Sequence, residues 1–395
     1  MENNITINNR IPQLRFPGYT GDWEEKSFDV ICHTITPPLK LQSSQYSSSG
    51  KFPIVDQSQT LICGWTNDSS GLLRNAPYII FGDHTCVLKY IDFPFIQGAD
   101  GVKILGSNKK DNSKFIYQLL LSNPVKQDGY KRHFSDLKEK IFLLPPTLEE
   151  QTKIAECLSS IDEIISVEES KVESLKVHKK GLMQQLFPQP GTTTPALRFP
   201  GFTGKWQEKK LNKVFSRVTR KNAENNQNVL TISAQYGLIS QLEFFKKSVA
   251  SSDVTGYYLL HRGEFAYNKS SSQGRPVGAI KPLRLYDKGV VSTLYICFKC
   301  NNPEEIAFWE QYFDAGILDS EILSIAQEGV RNHGLLNIST GDFFGLNVIL
   351  PTPPEMKKIA ECLSSFDDVI TAAENELDSL KAHKKGLMQQ LFPQL

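Results

Sequence analysis

One long stretch occurs twice in this chain, and whatever the chain folds into must house both copies. Residues 154–189 read IAECLSSIDEIISVEESKVESLKVHKKGLMQQLFPQ and residues 359–394 read IAECLSSFDDVITAAENELDSLKAHKKGLMQQLFPQ, agreeing at 25 of 36 positions. A shorter echo, LRFPGYTGDW at 14–23 and LRFPGFTGKW at 197–206, shows that a whole unit is duplicated. The opening markers lie 183 residues apart (197 minus 14) and the long stretches 205 apart (359 minus 154), so the second body is longer by 22. The frame is repeated while the bodies inside it differ.

Each long copy reads as a helix. Thr147 precedes Glu150 by three residues, and Thr352 precedes Glu355 with Pro353 at the first helical position, the pattern of a capping box. Pro188 and Pro393 close the two copies. In the first copy Ile154, Leu158, Ile161, Ile165, Val172, Leu175, Leu182 and Leu186 take alternating d and a heptad positions, interrupted by Glu168 at d and Lys179 at a. In the second, Ile359, Leu363, Phe366, Ile370, Ala373, Leu377, Leu380, Lys384, Leu387 and Leu391 fill the same places. Apolar residues at this period form a coiled-coil seam.

The economical partner for each copy is the other. A parallel pair would set Lys179 against Lys384 inside the seam, like charges partly removed from water. An antiparallel pair whose residue numbers add to 552 instead brings Glu168 to Lys384 and Ala373 to Lys179, and matches every a with a d. The 25 residue steps from Ile161 to Leu186 at ~1.5 Å each give a rod of roughly 38 Å, close to one turn of B-DNA at about 34 to 36 Å. This packing would put one globular body at each end; the alternative at this stage is a rod that merely joins two lobes.

Short runs rich in aromatic and β-branched residues, punctuated by Gly, Pro, Asn and Asp, predict strands in both bodies. In the first they are FPIV (52–55), TLICGW (60–65), YIIF (78–81), CVLKYIDF (86–93), VKIL (102–105) and IFLLP (141–145), with a helix over 114–121. In the second they are VLTIS, EFAYN, VGAI, GVVSTLYICF and GLNVILP, with a helical region over 303–327. The fold class is therefore α+β, with mixed α/β bodies and an internal pseudo-two-fold repeat. The expected boundaries are 1–146 for the first body, 147–188 for the first helix, 189–196 for a linker (PQPGTTTPA spans 188–196), 197–351 for the second body and 352–395 for the second helix.

Net charge is +1, but residues 209–288 hold 14 Lys and Arg against 5 Asp and Glu, and residues 289–350 hold 2 against 8. The first body gathers Lys109, Lys110, Lys114, Lys126, Lys131, Arg132, Lys138 and Lys140 towards its end. The start, MENNITINNRIPQ, lacks the charged and apolar runs of a signal peptide. No apolar run approaches the roughly 18 residues of a membrane span, and seven cysteines without regular spacing suit a reduced, cytoplasmic setting.

There is no GxxxxGK[ST] loop, no GxGxxG turn and no Asn-Pro-Pro-aromatic methyltransferase signature. Cys297 and Cys300 form a lone CxxC where zinc ordinarily takes a second pair, so both read as buried strand cysteines. His178 and His383 recur on the helix surface, solvated or facing a partner. No catalytic, cofactor-binding or metal residue is expected. The bodies do offer amide, hydroxyl, basic and aromatic side chains at loop tips, the chemistry of base edges and phosphates. In the first body these are Gln57, Gln59, Trp65, Thr66, Asn67, His84 and Thr85; in the second, Tyr236, Lys269, Ser271, Gln273, Arg275, Arg331, Asn332 and His333. Arg275 suits guanine and Lys269 a phosphate; each alone is also an ordinary solvated loop residue.

Over residues 14–395 the chain resembles the specificity subunits of type I restriction-modification systems: two variable bodies, each opened by LRFPGxTGxW and followed by a repeated helix. The run LPPTLEEQTKIAECLSSID (144–162) is similar to the family's Pro-rich lead into a Glu-Gln and Ile-Ala helix; Pro354-Glu355-Met356 departs from that wording in the second copy. The resemblance implies target recognition domains that each read one half of a split, asymmetric DNA site, with the helices setting the spacer. It further implies two methyltransferase subunits that carry S-adenosylmethionine, and a translocase-nuclease subunit that uses ATP and Mg. The chain itself would then be non-catalytic. The competing readings are a self-contained nuclease or methyltransferase, against which the missing motifs stand, and a scaffold that binds no DNA.

Overall fold

The computed structural model describes residues 10–129, 131–233, 237–245, 253–270, 276–326, 334 and 336–393. They form two compact units, one of residues 1–170 with 375–395 and one of residues 171–374.

The first unit contains β1 (Glu24–Ser27), α1 (Phe28–Ile31), β2 (Cys32–Ile35), β3 (Lys40–Leu41), β4 (Phe52–Val55), β5 (Gly64–Thr66), β6 (Leu72–Leu73), β7 (Tyr78–Gly82), β8 (Leu88–Ile91), β9 (Phe95–Gly98), β10 (Val102–Ser107), α2 (Ser113–Ser122), α3 (Phe134–Lys138) and β11 (Ile141–Leu144). The 39-residue helix α4 (Leu148–Leu186) begins here. An antiparallel sheet in the order β2-β10-β7-β8 is the centre, with β1 and β11 paired beside it. A second sheet, β3-β9-β4-β5 with β6 on β9, mixes parallel and antiparallel pairs. TLICGW supplies a strand only at its end, and FIQG at 95–98, which carries no alternating pattern, is a further strand because both its faces are buried.

The second unit contains β12 (Gln207–Lys210), α5 (Leu211–Val214), β13 (Phe215–Arg217), β14 (Leu230–Ser233), β15 (Gly237–Ser240), α6 (Gln241–Phe245), β16 (Tyr258–His261), β17 (Phe265–Asn268), β18 (Ala279–Pro282), β19 (Lys288–Val291), β20 (Ile296–Cys300), α7 (Ile306–Asp314), α8 (Asp319–Ile325), α9 (Thr340–Gly345), β21 (Asn347–Leu350) and α10 (Pro353–Leu391). Its central sheet, β13-β20-β17-β18, and its β12-β21 pair repeat the order of the first unit. In place of the second mixed sheet stand two antiparallel pairs, the hairpin β14-β15 and the pair β16-β19. GVVSTLYICF divides into β19 and β20, and the helical region divides at Gly316, whose φ of 70° suits the turn between α7 and α8.

Both units close one main core around a helix pair. In the first, Trp23, Phe28, Phe115, Leu119 and Phe142 pack with Ile154 and Leu158 of α4 and with Leu391 and Phe392 at the end of α10. In the second, Trp206, Leu211, Phe215, Phe308 and Tyr312 pack with Ile359 and Leu363 of α10 and with Leu186 and Phe187 at the end of α4. The helices run antiparallel in each unit. Lys384 donates to Asp162 at 2.6 Å and Lys381 pairs with Glu169 at 2.7 Å in the first. Lys179 donates to Asp367 at 2.6 Å and Lys176 pairs with Glu374 at 2.6 Å in the second.

These pairs correct the expected register. Lys384 takes Asp162, not Glu168, and Lys179 takes Asp367, not Ala373; the numbers of these two pairs add to 546 and those of the flanking Lys381–Glu169 and Lys176–Glu374 pairs to 550, none to 552. The reason lies in the repeat. Position 168 of the first copy corresponds to Ala373 of the second, so a register built on Glu168 neutralises only one seam lysine. Asp162 and Asp367 are equivalent residues, and each copy hands its aspartate to the other copy's lysine.

Candidate nucleic-acid interface

The frame that presents the bodies is a joint built identically from the LRFPGxTGxW marker. Gly18 and Gly21 have φ of 93° and 81°, and Gly201 and Gly204 have 90° and 84°, a backbone that excludes most side chains and bends the marker into a tight loop. Arg15 donates to the Gly21 carbonyl at 2.6 Å and forks onto Glu150 at 2.8 and 2.9 Å. Arg198 donates to the Gly204 carbonyl at 2.7 Å and forks onto Glu355 at 2.8 and 2.7 Å. Both glutamates are 1% exposed. Thr147 caps as expected, accepting from the Glu150 amide at 3.3 Å, but the glutamate side chain is turned to the arginine. The marker is also pinned to the far end of a helix: the Leu14 amide donates to Gln390 and the Leu197 amide to Gln185, at 3.0 and 2.9 Å.

In the first body, the turn between β7 and β8 is held by a buried hub. The Asp83 carboxylate accepts from the Phe134 amide at 2.9 Å, and its carbonyl accepts from the His133 amide at 2.8 Å. Around this turn the structure gathers three of the candidate residues. The Thr85 hydroxyl donates to the Gln57 carbonyl at 2.8 Å, and the His84 amide donates to the Gln57 side-chain oxygen at 3.2 Å. The Gln57 amide nitrogen donates in turn to the Asp100 carbonyl at 3.2 Å. Gln57 and Thr85 thus shape the loop through bonds of their own, and His84 stands over them half-exposed. The basic stretch Lys126 to Arg132 is tied to the same turn: Gln127 donates to the His84 carbonyl at 3.1 Å, and the His84 ring meets the Lys131 carbonyl at 3.1 Å. Gln127, Lys131 and Arg132 are exposed. The result is an amide, an imidazole and cations gathered beside one turn, suited to base edges and phosphates.

The remaining candidates of this body lie elsewhere. Trp65, Thr66 and Asn67 sit where β5 meets Ser47 and Lys51, with the Asn67 oxygen accepting from the Lys51 amide at 3.1 Å. Thr66 pairs with Phe52, five residues and roughly 16 Å of strand from Gln57. Gln59 lines a separate groove with Tyr90, Lys114 and Tyr117.

Residues 20–177 match the type I restriction modification DNA specificity domain. The specificity subunit of the type I restriction enzyme MjaVIII of Methanocaldococcus jannaschii is 26% identical over 328 residues, 75% of this chain and 73% of that one. The chain is thus similar to type I restriction specificity subunits, by a domain match over residues 20–177 and by a longer, weaker likeness. The Escherichia coli EcoR124I/EcoR124II specificity subunit is 27% identical over 112 residues, a match that spans 28% of that subunit's length and 27% of this chain. The solved S subunit of a type I restriction-modification system from M. genitalium shares the fold, with a TM-score of 0.61 and 16% identity over 97% of this chain and 99% of that one.

In the second body Lys269 is half-buried and reaches the Ile338 carbonyl at 3.4 Å, bracing a neighbouring loop. Tyr236, Ser271, Gln273, Arg275, Arg331, Asn332 and His333 lie outside the described residues. The charge contrast along the sequence is partly cancelled in space, because Lys281 pairs with Asp314 at 2.6 Å and Arg284 with Glu310 at 3.0 Å. Cys297 and Cys300 are buried in β20, and burial pushes their thiols up to about 12 and about 11, which keeps them protonated and poor ligands. Among the described residues no cluster of His, Cys, Asp or Glu could hold a metal ion, and no helix is long and apolar enough to cross a membrane. Gln127 was the residue that reasoning from sequence passed over; its signal was the basic run around it, whose place beside His84 only the folded loop reveals.

Proposed function

We propose that this chain is the non-catalytic DNA-recognition subunit of a type I restriction-modification complex. Each body reads one half of a split, asymmetric double-stranded site, and the antiparallel helices set the unread spacer. One observation carries this reading: the same joint, Arg15 on Glu150 and Arg198 on Glu355, holds two bodies that differ outside their central sheets. A repeated frame with unlike contents suits a protein that presents two different readers in equivalent poses. In the first body the reader is the turn carrying His84 with Gln127, Lys131 and Arg132; in the second, the candidates remain Arg275 and the other residues singled out from the sequence.

Methylation would come from two partner subunits carrying S-adenosylmethionine, and cleavage from a subunit using ATP and Mg. The helices offer those partners equivalent exposed apolar residues, Ile164 at 53% and Val369 at 50% exposure. Gly181 and Gly386, where an added Cβ would meet nothing within 4 Å, leave room for a close approach. Methylome sequencing of a host expressing this chain with its methyltransferase subunits tests the reading. The expected result is one two-part adenine-methylated motif with a fixed spacer. A motif without a spacer, or modification by the purified chain alone, would refute it.

A further inference from the structure

Each seam aspartate has a second bond, which leaves the rod and reaches the body. In the first unit Asp162 accepts Lys384 on one oxygen and the Gln118 side chain of α2 on the other, at 2.6 and 2.8 Å. In the second unit Asp367 accepts Lys179 on one oxygen and the Gln311 side chain of α7 on the other, at 2.6 and 2.8 Å. The two glutamines stand at the same place in their helices, although the sequences around them, SKFIYQLLLS and IAFWEQYFD, have little else in common. The same carboxylate therefore fixes the helix register and the seat of the body at once.

Stability alone does not account for this bond. Gln118 is 2% exposed beside Ile116 and Leu119, and Gln311 is 3% exposed beside Phe308 and Tyr312, so an apolar side chain would suit either place. Each glutamine's side-chain oxygen is buried with no donor among the described residues, a shortfall that ordinarily opposes folding. The lysines, whose side chains are 14% and 12% exposed, interrupt an otherwise apolar seam. An apolar heptad seam admits neighbouring registers at little cost, and an apolar contact tolerates sliding. A charged pair in the seam selects one register, and a directional hydrogen bond selects one angle.

We propose that Asp162 and Asp367, acting with Gln118 and Gln311, are positioning residues for spacer length. They hold each reader at one distance and angle on the rod, so that only one separation of half-sites is accepted. The inference rests on the two-reader function above.

The test uses the full chain co-purified with its methyltransferase subunits. The substrates are duplexes carrying both mapped half-sites with the native spacer, or with one base pair added or removed. The Gln118→Leu/Gln311→Leu variant cuts only the bond between body and rod and leaves the seam ion pairs in place. Asp162→Asn/Asp367→Asn removes the shared carboxylates. In both variants the native-to-altered spacer ratio of methylation rates should fall by about tenfold, the factor commonly attached to one charge-assisted hydrogen bond, while base preference within each half-site stays as in wild type. A glutamine variant that keeps the wild-type ratio, or loses rate equally on all spacers, overturns the proposal even where the aspartate variant fails to fold. If the wild-type complex methylates no two-part site, the function itself is wrong and the inference falls with it.

Discussion

Around Arg15 and around Arg198 the same bonds recur: a fork onto a buried glutamate, a marker amide on a helix end, and a tryptophan against a closing phenylalanine. Beyond those joints the bodies share their four-stranded centres and paired edge strands, and then diverge into a mixed sheet in one and two separate strand pairs in the other. The contrast separates two duties. Residues that set where a body sits are duplicated bond for bond, while residues on its outer strands and loops are free to differ. One exception sharpens the point: the Trp23 indole donates to Glu150 at 3.3 Å, whereas the Trp206 indole nitrogen is buried with no acceptor among the described residues.

The largest expected effect tests the division itself. Exchanging residues 24–146 for another body on the same frame should replace one half of the methylated motif and leave the other half and the spacer unchanged, as read by methylome sequencing. A change in both halves would break the separation between frame and contents.

Next in size is the joint. Glu355→Ala leaves the half-buried Arg198 without its carboxylate and should destabilise the chain by about 2–3 kcal/mol in denaturant titration. Glu150→Ala should cost about 1 kcal/mol more, because it also removes the acceptor of the Trp23 indole. Equal losses would show that the extra bond contributes nothing.

The tryptophans give a smaller and opposite pair. Trp23→Phe breaks the bond to Glu150 and should cost about 1 kcal/mol beyond the loss of volume. Trp206→Phe removes a buried donor with no acceptor among the described residues, so it should cost no more than its loss of volume in the same titration.

The effect that is smallest at neutral pH, and emerges only in alkali, concerns the central strands, of which β20 carries two buried cysteines. Burial raises the Cys297 thiol from its ordinary 9.0 to about 12, so the folded chain holds a proton that the unfolded chain releases. Its contribution to stability is full below about pH 9 and declines as pH climbs towards 12, by up to ~1.4 kcal/mol per pH unit. Cys297→Val lacks that decline, and its stability relative to wild type should improve between pH 9 and 11. A pH-independent difference would count against the burial argument.

Much of the frame could be read without coordinates. The heptads, the threonine caps and the closing prolines are local patterns, and they placed both long helices to within a residue or two. The outer strands were harder, because FIQG at 95–98 owes its conformation to neighbours on both sides and not to any alternation of its own. The reading loops were hardest. Gln57, Gln59 and Asn67 look alike in sequence, yet one amide is bonded to His84 and Asp100, one lines a groove and one accepts from Lys51. Short-range pattern cannot distinguish them, since the partners are tens of residues away.

The sequence by itself determined that two unlike bodies share one duplicated frame, and it favoured antiparallel pairing of the two long helices, because like charges in an apolar seam disfavour the parallel alternative. It could not determine the register. Matching a with d positions favoured Glu168 for Lys384, and only the tertiary structure brought Gln118 and Gln311 to Asp162 and Asp367. The deciding carboxylate is the one held from two directions, by a lysine in the seam and by a glutamine from a body, and the second of those lies outside any repeat that a linear pattern contains.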